Sequence, residues 1–80
     1  MSELDGYRMK IDEIDREITR LFEERMDTVI KVGEYKKKNN LPVLNKDREK
    51  QVIEKNVGYL NNKEYSEELT AFYNNLMNIA

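Results

Sequence analysis

Apolar side chains recur by threes and fours through the first part of the chain: Leu4, Tyr7, Ile11, Ile14, Ile18, Leu21, Phe22, Val29 and Val32. That spacing follows a period of about 3.6 residues and predicts one long amphipathic helix from about Leu4 to Lys38. No proline interrupts it, and Gly6 and Gly33 lie near its ends, where a residue costing about 1 kcal/mol relative to alanine does least harm. The helix should stop near Asn39-Asn40, because Leu41 precedes Pro42 and a residue before proline is pushed out of the helical region. Asn45 is a natural N-cap for a second helix, with Asp47 and Glu49 at its positive end. Val52, Ile53, Val57 and Leu60 give that helix an apolar side, and it is expected to run to about Asn61-Asn62. A third pattern, Leu69, Phe72, Tyr73, Leu76, Met77 and Ala80, begins between Asn62 and Ser66 and continues to the last residue. No stop signal follows it, so the chain reads as cut or unusually short at Ala80.

The expected fold class is therefore all-α, with three helices in a single domain spanning residues 1–80. The first helix would be roughly 50 Å long, whereas a globule of this size has a radius of gyration of about 12 Å. Its own chain is too short to cover it, and a homodimer is the simplest remedy for so small a core. Hydrophobic residues make up 39% and charged residues 38%, a balance that suits thin helices with narrow apolar stripes better than a sandwich or barrel.

Charge then narrows the function. The 14 basic and 16 acidic residues nearly cancel, which removes the overall basic field behind non-specific nucleic-acid binding. No apolar run approaches the roughly 20 residues that span a membrane, and the start of the chain is unlike a signal peptide. A soluble, cytoplasmic protein is the expectation. Without cysteine or histidine there is no disulfide framework, no thiolate metal site and no imidazole base. No metal or cofactor is expected, and no glycine-rich loop suggests a nucleotide.

Certain polar residues sit beside the apolar stripes. Arg25, Val29, Val32 and Lys36 follow one another by four, three and four residues, and so line one helix face. Arg48 and Glu49 come within about a turn of Asn45, with Val52 one turn later. Any one such cation is explained by snorkelling, its stem on apolar surface and its head in water. Taken together, if the second helix folds back through the Pro42 turn, Arg25, Lys36, Asn45, Arg48 and Glu49 converge on a cavity suited to a compact polyanion. Arg8 precedes Arg25 by 17 residues, about 25 Å along the axis and roughly 100° around it. It reaches such a cavity only in a partner chain.

The combination Arg8, Ile11-Asp12, Ile14-Asp15, Ile18, Leu21, Arg25, Val29, Val32-Gly33, Lys36, Pro42-Val43 and Arg48-Glu49 resembles the all-helical, AroQ-class chorismate mutase family. The resemblance covers the first helix, the turn and the start of the second helix. It implies an intertwined homodimer of three-helix chains that rearranges chorismate to prephenate in aromatic amino acid biosynthesis. It further implies that Arg25 and the partner subunit's Arg8 bind the substrate carboxylates, that Lys36 contacts the ether oxygen and that Glu49 holds the hydroxyl. By the same resemblance Arg48 lies at the site, while Val32 and Val52 form apolar walls. Asn45 stands where the family usually has an aspartate. The family's carboxylate-binding serine or threonine falls near Ala80, and its second donor to the ether oxygen falls beyond that residue.

The chemistry agrees with the composition. A unimolecular pericyclic rearrangement needs no nucleophile, proton transfer or metal; it needs a flexible dianion held in a reactive conformer and its growing negative charge stabilised. Two other readings fit parts of the pattern: an isochorismate pyruvate lyase on the same scaffold, and a non-catalytic helical interaction or regulatory module. Assaying both substrates separates the lyase from the mutase, and binding of a transition-state mimic separates either from the module.

Overall fold

The protein is described here as a computed structural model, covering residues 2–79. Its elements are helix α1 (Glu3–Lys38), helix α2 (Lys46–Gly58), a 3-10 turn (Lys63–Tyr65) and helix α3 (Ser66–Ile79), with no strand among the described residues. The all-α expectation is met. The chain divides into two units, Met1–Tyr35 and Lys36–Ala80, which are taken in turn.

The first unit is helix. Ser2 and Asp5 begin it as a reciprocal cap: the Asp5 N–H donates to Ser2 Oγ at 3.2 Å and the Ser2 N–H to Asp5 Oδ2 at 3.5 Å, which satisfies donors that the first turn otherwise leaves open. Its apolar stripe stays in contact with solvent, with Leu4, Ile11, Ile14, Ile18 and Leu21 all exposed. The half-buried positions of α1 are Arg25, Met26, Val29, Gly33 and Lys36. The expected Arg25-Val29-Val32-Lys36 face is thus shifted by one residue, running through Gly33 while Val32 remains 47% exposed. Successive steps of four, four and three track the helical period as closely as four, three and four, so spacing alone does not separate the two.

The second unit opens with the end of α1. Asn40 adopts a left-handed backbone, φ 56°, which asparagine tolerates better than most residues. The Leu41 N–H donates to the Lys36 carbonyl at 2.8 Å and the Asn40 N–H to the Lys37 carbonyl at 3.4 Å, the paired bonds of a Schellman ending. Asn45 then caps α2 as expected, its Oδ1 accepting from the Arg48 N–H at 3.1 Å.

Helix α2 stops earlier than its sequence pattern suggests, at Gly58 instead of Asn61-Asn62. Past that end Lys63 Nζ donates to the Val57 carbonyl at 3.1 Å and the Gly58 carbonyl at 3.0 Å, which satisfies acceptors that the last turn leaves open. Asn62 caps the 3-10 turn by accepting from the Glu64 N–H, and α3 follows at Ser66. Helices α2 and α3 pack together, and Val52, Ile53 and Val57 of α2, Leu60 after it, and Leu69, Tyr73 and Met77 of α3 are half-buried. Leu76, 8% exposed, is the one buried residue among the described residues. Phe72, expected on the apolar face, remains 47% exposed while its ring meets that of Tyr73 edge-on at 5.2 Å. Ala80 lies outside the described residues.

Candidate active site

Charged side chains normally stay in water, because burying them is costly unless they are paired. Of the 14 basic and 16 acidic residues, only Arg25, Lys36 and Glu49 are half-buried, and every other one is exposed.

Arg25 belongs to the first unit. Its Nη1 is buried and has no hydrogen-bond partner. Arg20, one turn and a half earlier, is the informative contrast: it donates to Glu17 at 2.9 Å and to Glu24 at 3.4 Å, and the hydrogen bond and charge of Glu17 raise its pKa further. Arg20 is thus engaged by its own helix, whereas Arg25 keeps a desolvated donor open. An unmade bond to a buried donor is unfavourable by about 1–3 kcal/mol, so an anion that supplies the acceptor recovers that energy as well as the charge interaction. Arg8 and Val32, the other site candidates of this unit, are exposed.

The second unit holds the remaining candidates. Lys36 Nζ donates to the Val43 carbonyl at 3.4 Å, a contact at the long limit for a hydrogen bond. An ammonium has three donors, so the group stays able to bind elsewhere. Asn45 uses its side-chain oxygen on the Arg48 N–H, which makes it a helix cap in this structure. Arg48 is exposed, while Glu49 and Val52 are half-buried on α2. Glu49 and Val52 are one turn apart and face the same way.

Sequence reasoning passed over two neighbours of these residues. The Asn56 amide donates to the Val52 carbonyl at 2.8 Å, and the Tyr73 hydroxyl donates to Asn56 Oδ1 at 3.2 Å. The available signal was the placement of Asn56 four residues after Val52 and seven after Glu49, on the same side of the helix. The Val43 carbonyl was beyond such reading, since a backbone acceptor leaves no trace in residue type. Among the described residues no group of carboxylates could hold a metal ion, and no helix is long and apolar enough to cross a membrane.

Comparison with known proteins identifies the family. Residues 7–80 match the family model for chorismate mutase type II. The chain is 46% identical over 55 residues to a bifunctional chorismate mutase/prephenate dehydratase of Aquifex aeolicus, covering 69% of this chain and 15% of that protein. It is 38% identical over 63 residues to a protein of the same description from Buchnera aphidicola subsp. Schizaphis graminum, covering 76% of this chain and 16% of the relative. The chain thus spans about one sixth of the length of these curated relatives. No solved structure gives a significant match. With a family match that extends from Tyr7 across both units, the chain belongs to the chorismate mutase type II family.

Proposed function

We propose that this chain is a chorismate mutase, a single domain over residues 1–80 that rearranges chorismate to prephenate in the cytoplasm. The observation that carries the reading beyond family membership is the burial pattern of charge: the half-buried charged residues are Arg25, Lys36 and Glu49, the three that the family resemblance pairs with a carboxylate, the ether oxygen and the hydroxyl.

The substrate is a dianion whose C–O bond breaks as a C–C bond forms, with negative charge growing on the ether oxygen. Arg25, through its open buried Nη1, pairs with one carboxylate. A guanidinium can do this with two parallel bonds, which fixes orientation as well as charge. Lys36 directs its ammonium at the ether oxygen, where its interaction strengthens as the bond breaks. A preorganised donor of this kind is worth about 3–4 kcal/mol in other enzymes. Glu49 accepts from the hydroxyl. Arg48 and Asn45 border the site at the start of α2, and Val32 and Val52 supply apolar walls that favour the compact conformer.

The second carboxylate falls to the partner subunit's Arg8. A homodimer is supported by the stripe Leu4, Ile11, Ile14, Ile18 and Leu21, exposed along a 36-residue helix. Contiguous apolar surface of that extent marks an interaction face, and a second copy of the same stripe is its natural complement.

The test is direct. Purified chain incubated with chorismate should consume it, followed by absorbance, and should bind a bicyclic dicarboxylate mimic of the transition state at micromolar or lower concentration. The absence of both turnover and mimic binding would overturn the assignment, and consumption of isochorismate alone would replace it with the lyase reaction.

A further inference from the structure

Helices α2 and α3 meet mainly through apolar side chains, whose attraction is non-directional. Such a contact fixes which face of α2 is turned to its neighbour but sets the rotation about its own axis only coarsely. The Tyr73 hydroxyl supplies the directional element: it donates to Asn56 Oδ1 at 3.2 Å, and the Asn56 amide donates to the Val52 carbonyl at 2.8 Å. Both bonds are partly buried, so they are shielded from competing water. The Tyr73 ring is itself steadied by Phe72, edge-on at 86°.

Asn56 lies seven residues after Glu49, two turns along α2 and within about 20° around its axis. A carboxylate standing about 6 Å from a helix axis moves roughly 1 Å when the helix turns by 10°. Displacements of that size matter, since the hydrogen bond between the Glu49 carboxylate and a hydroxyl weakens steeply as its distance and angle leave the optimum. We infer that Tyr73 and Asn56 are positioning residues: through the Val52 carbonyl they set the rotation of α2, and thereby where the Glu49 carboxylate meets the substrate hydroxyl. The inference rests on the role given to Glu49 above.

The experiment is a double-mutant cycle on the full chain. Tyr73→Phe keeps the ring and removes the hydroxyl. KM for chorismate should rise about fivefold, the size expected for one net hydrogen bond, with kcat within about twofold and helical circular dichroism unchanged. In a Glu49→Ala background the same substitution should change KM by less than about 1.5-fold, because a residue acting through Glu49 has nothing left to position. Asn56→Ala should reproduce both results, and it replaces Tyr73→Phe if that variant does not fold. An equal KM effect in the two backgrounds, or none in an active parent chain, would overturn the positioning role alone. An unmodified chain without turnover would instead remove the reading of Glu49, and this inference with it.

Discussion

Lys36 reaches seven residues forward to the Val43 carbonyl, 3.4 Å from its Nζ, while its own carbonyl accepts from Leu41 at 2.8 Å. Both ends of the residue are therefore tied to the turn that follows α1. A lysine carries about 2 kcal/mol of side-chain rotamer entropy, and a contact that narrows its range beforehand leaves less to lose when an oxyanion must be met. Lys36→Ala should lower kcat about 100- to 1000-fold, measured by chorismate consumption, with helical circular dichroism retained. A variant with near-normal turnover would sink the role given to Lys36.

Asn40 controls the geometry of that turn through its left-handed backbone. Glycine enters this region without the steric penalty that a β-branched residue meets, about 1–2 kcal/mol. At fixed protein concentration, Asn40→Gly should leave the melting temperature unchanged or higher. Asn40→Val should lower it by about 4–8 °C per kcal/mol lost, as expected for a domain of this size. Equal melting temperatures for the two variants would show that the turn is not held in this conformation.

Glu49 and Arg48 are adjacent in sequence and opposite in burial, the first half-buried and the second exposed. Removing a shielded partner of a substrate hydroxyl should matter more than removing a cation already in water. Glu49→Ala is expected to reduce kcat/KM at least about tenfold more than Arg48→Ala does. Steady-state kinetics on the two variants decides this, and the reverse ranking would move the hydroxyl contact away from Glu49.

Association and activity should fail together. Ile14 lies in the exposed stripe of α1, and Ile14→Glu places a charge where a partner helix would bury it. Sedimentation equilibrium should show a homodimer for the parent chain and a monomer for the variant, with turnover lost in the variant because Arg8 no longer reaches a partner's site. A monomeric parent with full activity would exclude the shared site.

The elements were legible in the sequence wherever the determinant was local. Helix α1 begins one residue before the expected Leu4 and ends at the expected Lys38, because uninterrupted apolar spacing and Pro42 bound it. The Asn45 cap was equally plain. The end of α2 was misplaced because its apolar pattern continues to Leu60, whereas the last carbonyls are satisfied by a lysine five and six residues further on, a side chain returning across a turn. The candidate residues were legible as types and intervals. Burial was not: neither the open buried Nη1 of Arg25 nor the passage of the half-buried face through Gly33 has a counterpart in spacing. The Tyr73–Asn56 pair, 17 residues apart, needed the packing of two helices to become visible.

The reciprocal cap at Ser2 and Asp5 has a kinetic consequence. A helix is slow to nucleate and fast to extend, with extension taking nanoseconds per residue. By satisfying first-turn donors within the chain itself, the cap favours a helical start for α1 independently of any tertiary contact. In the proposed homodimer, helix growth would then outpace encounter between chains, and the refolding rate would scale with protein concentration. Unpaired chains would meanwhile display their apolar stripe, so aggregation would compete most strongly during that interval.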